Sequence, residues 1–263
     1  MRYAFRVQYI GKNYAGSQLQ LCNGKPIETP TIQGELEKAL CTLIKCNNNS
    51  NNNVVTENIR PIKTYFSGRT DRGVNSKGQI VHFDVDECIV ASKFIYQMNE
   101  ILPSDISVDS LEVVPDTFHA QKSAKSRYYR FELINRRYKN AFDGDLLRVK
   151  YPLDEVRMQK SLNYLIGEHD FSSFKSSGTL NPSKICVLTR AECHRVEGDR
   201  IFIDLEGNRF LYNMVRTIVG TLLEIEGHNL SHEHIKYVLE AKDRTKAGQT
   251  VSPYGLTLMK VNY

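Results

Sequence analysis

The sequence FSGRTDRGVNSKGQIVHF, residues 66–83, joins two strand-like segments through a loop rich in glycine. Apolar and polar residues alternate up to Phe66 and again from Val81 onward, as they do in half-buried strands. Between these segments lie Gly68, Gly73 and Gly78, and glycine permits backbone conformations and close approaches that other residues resist. The pattern predicts two strands that are connected by a glycine-rich loop.

One carboxylate, Asp71, lies in this loop among three cations, Arg69, Arg72 and Lys77. Neighbouring positive charges favour the ionised carboxylate, which would suit Asp71 to act as a nucleophile or a base. The same cations would attract a phosphate backbone. A connecting loop whose aspartate makes an ordinary turn hydrogen bond explains these residues equally well. The loop alone therefore leaves both interpretations open.

The composition is that of a globular protein. The chain has 263 residues, of which 25% are charged and 41% are apolar. This length allows one large domain or two small ones. A net charge of +5 and 14 tyrosines suit a nucleic-acid partner without requiring one.

The six cysteines show no Cys-x-x-Cys spacing, and we interpret them as reduced thiols of an intracellular protein rather than disulfides or zinc ligands. The sequence opens with MRYAFRV, without an apolar signal segment, and no apolar run is long enough to span a bilayer. These features predict a cytoplasmic protein that has no membrane partner.

The first part of the chain alternates between strand and helix patterns. Residues 2–9 have the alternation of a strand, and a helix capped by Thr31 is expected after them. The asparagine-rich residues 47–53 predict a mobile loop that buries nothing. A short helix capped by Ser92 and a strand over residues 106–114 are expected next.

The later part opens with the strand-like RYYRFELI, residues 127–134, in which Tyr129 faces the same side as the apolar residues. An amphipathic helix is predicted over residues 153–166 and a flexible polar loop over residues 172–177. Residues 189–206 predict a hairpin, and a final strand is expected from Leu256 to Tyr263.

Residues 210–225 form the strongest helical pattern, with a broad apolar stripe. Arg209, Asn213, Arg216 and Gly220 fall together on a different face of this predicted helix. Because the rest of the helix is deeply apolar, we expect this face to meet either water or a cleft.

Several segments resemble the TruA-type tRNA pseudouridine synthases, and they follow that family's order over nearly the whole chain. The resemblance rests on TIQGELE at 31–37, GRTD at 68–71, GQIVHF at 78–83, FHA at 118–120, MVR at 214–216 and IVG at 218–220. It implies an isomerase that converts uridine to pseudouridine at positions 38, 39 or 40 in the anticodon arm of tRNA.

The resemblance also implies a fold. It predicts two similar α+β halves, residues 1–114 and 115–263, whose antiparallel sheets form a continuous sheet flanked by helices. The active-site cleft is then expected between the halves. The alternation of strands and helices along the chain agrees with this class. A homodimer that binds tRNA across both subunits is implied as well.

The roles of individual residues come from the same resemblance. Asp71 is implied as the catalytic carboxylate at the ribose, either attacking C1′ or removing the 2′ proton. Tyr129 is implied to stack on the uracil, and Arg216 to hold Asp71 charged. Arg69 matches the arginine that helps to expel the target base. No cofactor is needed, because one glycosidic bond breaks and another forms within one nucleotide.

Binding to RNA is assigned to four cations, Arg69, Arg72, Lys77 and Arg209. The chain departs from the family pattern at several positions, among them residues 10–12, where the family tends to have Asp-Gly-Thr instead of IGK. The family usually has alanine and histidine where Arg72 and Asn75 stand, and a tryptophan where Ser17 stands. These differences leave open which uridines are modified.

Two other functions are compatible with the same residues. One is a related synthase with other RNA targets. The other is a non-catalytic RNA-binding protein on the same scaffold, against which the presence of Asp71 argues. A metal site at His228, His232 and His234 is disfavoured, because the spacing lacks the His-Glu-x-x-His pattern. No nucleotide-binding glycine motif is present either.

Overall fold

The computed structural model describes residues 1–22, 25–51, 62–176, 183–196 and 198–263. The chain divides into two compact units, Met1–Ala124 with Tyr263, and Lys125–Asn262. Both units combine strands with helices, as the predicted α+β class requires. Within the described residues, no helix combines the length and the apolar character needed to cross a membrane.

The first unit is built on a sheet centred on its N-terminal strand. Its strands are β1 (Arg2–Tyr9), β2 (Leu21–Cys22), β3 (Lys25–Pro26), β4 (Tyr65–Phe66), β5 (Asn75–Asp84), β6 (Ile106–Val108) and β7 (Glu112–Val114). β1 pairs antiparallel with β5, β6 and β7, and β4 pairs antiparallel with β5. β2 and β3 form a separate two-stranded pair. The predicted strand over 2–9 is confirmed, whereas residues 106–114 form two strands.

Two helices cover the apolar face of this sheet, α1 (Ile32–Asn51) and α2 (Ala91–Ile101). Thr31 caps α1, since its Oγ1 accepts a hydrogen bond from the Gly34 N–H at 3.1 Å. The predicted apolar stripe of α1 is buried. Val90 rather than Ser92 precedes α2, and it makes no side-chain cap.

The asparagine-rich segment differs from its prediction. Residues 47–51 continue α1 rather than forming a loop. A helix that is already nucleated adds further residues at little cost. Residues 52 and 53, the end of the same prediction, lie outside the described residues.

The segment after β7 belongs to the first unit. The Arg2 guanidinium donates to the backbone carbonyls of Asp116 at 2.5 Å and Phe118 at 2.8 Å. The Ala120 N–H donates to His82 Nδ1 at 3.2 Å, and the Tyr263 hydroxyl donates to the Ala120 carbonyl at 2.8 Å. These bonds hold the segment from Asp116 to Ala120 to the first unit, which extends to Ala124.

The second unit has a sheet in which β8 is central. Its strands are β8 (Ser126–Asn135), β9 (Leu147–Val149), β10 (Gly167–Asp170), β11 (Ile185–Val196), β12 (Arg200–Gly207) and β13 (Leu256–Asn262). β8 pairs antiparallel with β12 and β13, and β11 joins β12 to β10. β9 runs parallel to β8. The predicted hairpin is confirmed as β11 and β12, although Glu197 at its turn is outside the described part of the chain.

The helices of the second unit are α3 (Glu155–Asn163), α4 (Met214–Gly227) and α5 (His234–Ala241). Asp154 caps α3 by accepting from two backbone N–H groups. The predicted flexible loop over residues 172–177 is instead a short 3-10 helix at Ser172–Phe174, with the Phe174 ring fully buried. Ser177 is not among the described residues.

Candidate active site

The loop that carries Asp71 is fastened to β1 and to the segment after it. The Thr70 N–H donates to Ser17 Oγ at 2.8 Å, and the Ser17 N–H donates to the Thr70 carbonyl at 3.0 Å. The hydroxyls of Tyr9 and Thr70 lie 2.7 Å apart and share a hydrogen bond. All three side chains are buried, so these bonds form away from competing water. The backbone immediately before Asp71 is therefore fixed.

The beginning of the same loop is held from β5. Gln79 is fully buried, and its Nε2 donates to the Gly68 carbonyl at 2.8 Å. Its Oε1 accepts from the Ser67 hydroxyl. The Ser67 N–H also donates to the Ile80 carbonyl at 2.9 Å, which continues the pairing of β4 with β5. Buried polar groups that satisfy one another in this way rigidify the loop.

Two glycines let the chain turn tightly at Asp71. Gly16 forms a bridge with Asp71 and has a φ of 130°, and a Cβ on it would lie 2.9 Å from the Thr70 carbonyl oxygen. Gly73 has a φ of 80° and lies within a turn in which the Val74 N–H donates to the Asp71 carbonyl at 3.1 Å. Both positions favour glycine, because its missing Cβ permits positive φ and close approach.

The predicted charged residues of the loop differ in exposure. Asp71 is half-buried, whereas Arg69, Arg72 and Lys77 are exposed. This arrangement keeps the carboxylate on a rigid backbone and leaves the three cations able to meet a polyanion in solvent. Their roles in catalysis and in RNA binding stay predictions.

Two of the departures from the family pattern have structural roles here. Asn75 Oδ1 accepts from the Gly11 N–H at 2.9 Å, and Ser17 makes the bonds to Thr70 described above. Both side chains support the backbone of the loop. Arg72, another departure, is exposed and makes the loop more positive than the usual alanine would.

Tyr129 lies in the middle of β8, opposite Leu205 of β12 and Leu258 of β13. Only 9% of the residue is exposed, and the edge of its ring meets Phe210 with 5.0 Å between centroids. The ring therefore has the fixed orientation that base stacking requires. A tyrosine that only packs in the core of a sheet would be buried to the same degree.

Arg216 lies in the first turn of α4 and is half-buried. Its Nε donates to the Val251 carbonyl at 2.7 Å, and its Nη1 donates to Asn213 Oδ1, also at 2.7 Å. The guanidinium is thus held by a backbone oxygen and by a side-chain oxygen on the same unit.

Part of the face of α4 that carries Arg216 is packed rather than open to water or a cleft, which corrects the prediction for that part, although Arg216 itself is half-buried. Residues 248–251 cover the packed part. A Cβ on Gly220 would lie 1.7 Å from the Gln249 carbonyl oxygen, so the two backbones touch. Thr217 and Thr250 share a hydrogen bond at 3.1 Å. Periodicity showed a distinct face but not the chain segment that packs on it.

Arg209 is not on α4. The helix begins at Met214, because Asn213 has a left-handed conformation with φ of 61°. Arg209 precedes this turn, and its Nη2 donates to the Ser183 carbonyl at 3.2 Å. The prediction that Arg209 and Arg216 share a helical face is therefore wrong.

The three histidines that a metal site would use have other surroundings. His228 follows the last turn of α4, the His232 ring stacks on Tyr164 with centroids 6.1 Å apart, and the His234 ring contacts Tyr237. Among the residues that the structure describes, no three His, Cys, Asp or Glu side chains are grouped to hold a metal ion.

Sequence reasoning missed three residues that shape these sites: Ser17, Gln79 and Asn213. Ser17 is distant from Asp71 in sequence, whereas Gln79 lies in the same stretch of residues 66–83. For neither residue does the sequence pattern reveal which groups its side chain contacts. Asn213 had a local signal, since asparagine is enriched where a non-glycine residue takes positive φ.

Comparison with known proteins identifies relatives over the whole chain. The family model described as tRNA pseudouridine synthase matches residues 162–263. The tRNA pseudouridine synthase A of Halalkalibacterium halodurans is 38% identical over 256 residues, covering 97% of this chain and 90% of that protein. The proteins of the same name from Thermoanaerobacter sp. and Listeria monocytogenes are 37% and 36% identical, and cover 98% and 100% of this chain and 97% and 99% of their own.

Proposed function

The chain belongs to the tRNA pseudouridine synthase family, and we propose that it isomerises uridine to pseudouridine in tRNA. The observation that carries the proposal is the near-full-length similarity to proteins named for this activity, in a chain that retains Asp71 on a glycine-rich loop. The proposed targets are positions 38, 39 or 40 in the anticodon arm, which the family resemblance implies.

The proposed chemistry begins at the ribose. Asp71 acts as the catalytic carboxylate, by attack at C1′ or by removal of the 2′ proton, and the C–N glycosidic bond breaks. The uracil turns while it is held, and its C5 joins the sugar. Because the atoms of the nucleotide are conserved, the reaction consumes no redox or group-transfer cofactor.

Tyr129 and Arg216 complete the proposed catalytic set. The fixed Tyr129 ring supports a role in stacking on the uracil, and each aromatic–base stack is worth about 1–3 kcal/mol. Arg216 is the catalytic arginine that the resemblance implies, and its anchored guanidinium supports that role.

The proposed RNA contacts are electrostatic. Arg69, Arg72 and Lys77 are exposed on the loop that carries Asp71, and Arg209 lies before α4. We assign Arg69 to expulsion of the target base, a step that costs a few kcal/mol of unstacking. The other three are assigned to phosphates. The family resemblance further supports a homodimer that acts on tRNA in the cytoplasm.

The test is the replacement Asp71→Asn, which removes the carboxylate but nearly preserves its shape. Pseudouridine is mapped at single-nucleotide resolution in an unmodified tRNA transcript, and tRNA binding is measured separately. We expect Asp71→Asn to abolish product and to leave the Kd within a few-fold of wild type, because the loop is held by other residues.

The matched control is Asp86→Asn, an exposed carboxylate of the same unit, which should keep full turnover. Product at other uridines would support a synthase with different targets. Tight tRNA binding by wild type without any product would support the non-catalytic alternative and refute the proposal.

A further inference from the structure

Asn213, at the start of α4, has an unusual backbone for its position. Its φ is 61° and its ψ is 8°, in the left-handed region. An N-cap residue typically has extended dihedral angles, and an asparagine there typically accepts a hydrogen bond from the first turn. Asn213 makes no such side-chain cap, although asparagine is among the best capping residues. Its carboxamide therefore serves something other than the helix backbone.

The carboxamide connects two side chains. Asn213 Oδ1 accepts from Arg216 Nη1 at 2.7 Å, and Asn213 Nδ2 donates to Ser176 Oγ at 3.0 Å. Ser176 is itself placed by its N–H, which donates to the Tyr212 carbonyl at 3.1 Å. Because the donor side of the amide is held by Ser176, its acceptor side points at the arginine.

The effect on Arg216 follows from the shape of the guanidinium, which is a planar group with five N–H donors in fixed directions. Nε is bonded to the Val251 carbonyl, and Nη1 is bonded to Asn213. Two bonds from different nitrogens fix the plane of the group, and the bond to Asn213 is the one made by Nη1.

We propose that Asn213 is a positioning residue, which orients the guanidinium of Arg216 for the reaction. This inference rests on the proposed function, in which Arg216 is catalytic. Asn213 contributes through Arg216 and through no contact of its own with the nucleotide. A displacement of about 1 Å in a catalytic group can lower a rate by roughly 100-fold.

Two variants separate positioning from a structural role. Asn213→Gly removes the carboxamide but accepts positive φ without strain, whereas Asn213→Ala removes the carboxamide and strains the backbone as well. We expect both to lower single-turnover rates at saturating tRNA by about 10- to 100-fold, with the Kd for tRNA unchanged. Both variants lose the bonds to Ser176 and Arg216, and Asn213→Ala should have the lower Tm of the two because of the added backbone strain.

The proposal fails if Asn213→Gly turns over within two-fold of wild type. It also fails if the rates of the two variants follow their Tm values, since a structural role would produce that correlation. The proposal would also be overturned if weaker tRNA binding accounted for the whole loss of rate in the Asn213 variants.

A readout without turnover distinguishes this proposal from the proposed function. In ¹⁵N NMR spectra of wild type, we expect distinct Nη signals for Arg216, assigned with Arg216→Lys, because rotation of the guanidinium is restricted. Asn213→Gly should speed the exchange between them, and an unchanged exchange rate would overturn the positioning role. Averaged signals in wild type would overturn the positioning role. Absence of pseudouridine with wild type would instead refute the proposed function, and the NMR comparison would still decide this inference.

Discussion

At the scale of single residues, His82 on β5 shows how a polar group is used within a core. Its side chain is buried, its Nδ1 accepts from the Ala120 N–H, and its ring stacks on Tyr65 with centroids 4.8 Å apart. Burial, together with the smaller effect of the positive charges of Arg2 and His119, lowers the pKa of His82 to about 4, against the opposing effect of Asp84. The neutral ring is thus the form that the fold requires.

The replacement His82→Asn tests this requirement. The pKa in the folded state, about 4, is below the ordinary 6.5, so between these values the unfolded chain binds a proton that the native chain does not. The stability that neutral His82 contributes is therefore present above pH 6.5 and is lost as the pH falls through 4. The replacement should remove this part of the pH dependence, measured by urea unfolding at pH 7.5 and pH 5 with circular dichroism.

The control for this prediction is His228→Asn, at an exposed position of the second unit. It should leave the pH dependence of wild type in place. Equal loss of stability between pH 7.5 and pH 5 in wild type and His82→Asn would show that His82 does not contribute. The loss of ring stacking lowers the stability of His82→Asn at both pH values. It therefore cancels when the free energies of unfolding of one variant at the two pH values are subtracted.

At the scale of elements, the pairing of α4 with residues 248–251 places Arg216. Gly220 allows the two backbones to touch, Thr217 and Thr250 bond across the contact, and the Gly248 N–H donates to Thr221 Oγ1 at 3.0 Å. The segment in turn provides the Val251 carbonyl that accepts from Arg216. Part of the helix face that sequence periodicity assigns to water or a cleft is thus packed against another segment of the chain.

Gly220→Ala should destabilise the protein, contrary to the usual effect. Alanine in a helix interior ordinarily gains up to about 1 kcal/mol over glycine. Here its Cβ would lie 1.7 Å from the Gln249 carbonyl oxygen, and overpacking costs typically about 1–3 kcal/mol. We expect a lower Tm together with slower pseudouridine formation, because the Val251 carbonyl is displaced.

Gly227→Ala, in the last turn of the same helix, is the matched control. The three atoms nearest to its Cβ would all belong to the Tyr151 side chain, the closest at 3.3 Å, and that exposed side chain can shift. Its Tm should stay near that of wild type. A Gly220→Ala protein as stable as Gly227→Ala would mean that residues 248–251 move aside without cost.

The sequence predicted elements best where a buried face is regular. β1 and the stripe of α1 repeat at strand and helix periods, and both are confirmed. Prediction failed where a single residue, or a segment distant in sequence, determines where an element begins or what packs on it. The left-handed Asn213 delays the start of α4, and the asparagines of 47–51 extend α1 although they carry no apolar stripe. The loop of Asp71 was recognisable, but its fastening by Ser17 and Gln79 depends on contacts that no local pattern encodes.

At the scale of the whole molecule, charge is the property that bears most directly on a nucleic-acid partner. The chain carries 35 Lys and Arg against 30 Asp and Glu, a net charge of +5. Much of the positive charge is already used within the fold. Arg130, for example, is paired with the fully buried carboxylate of Asp204, and Arg157 with that of Glu226. A modest net charge therefore says less about RNA binding than the placement of exposed cations such as Lys77.

The salt dependence of tRNA binding tests that placement. Each cation that neutralises a phosphate releases counterions, which adds about 0.7 to 0.9 to the slope of log affinity against log salt. We expect a wild-type slope of several units, and Lys77→Ala should reduce it by about one. Lys93→Ala removes the same charge from an exposed position on α2 and should leave the slope unchanged, since only a cation that meets phosphate releases counterions. Equal slopes for the two variants would show that net charge, and not the loop of Asp71, determines binding.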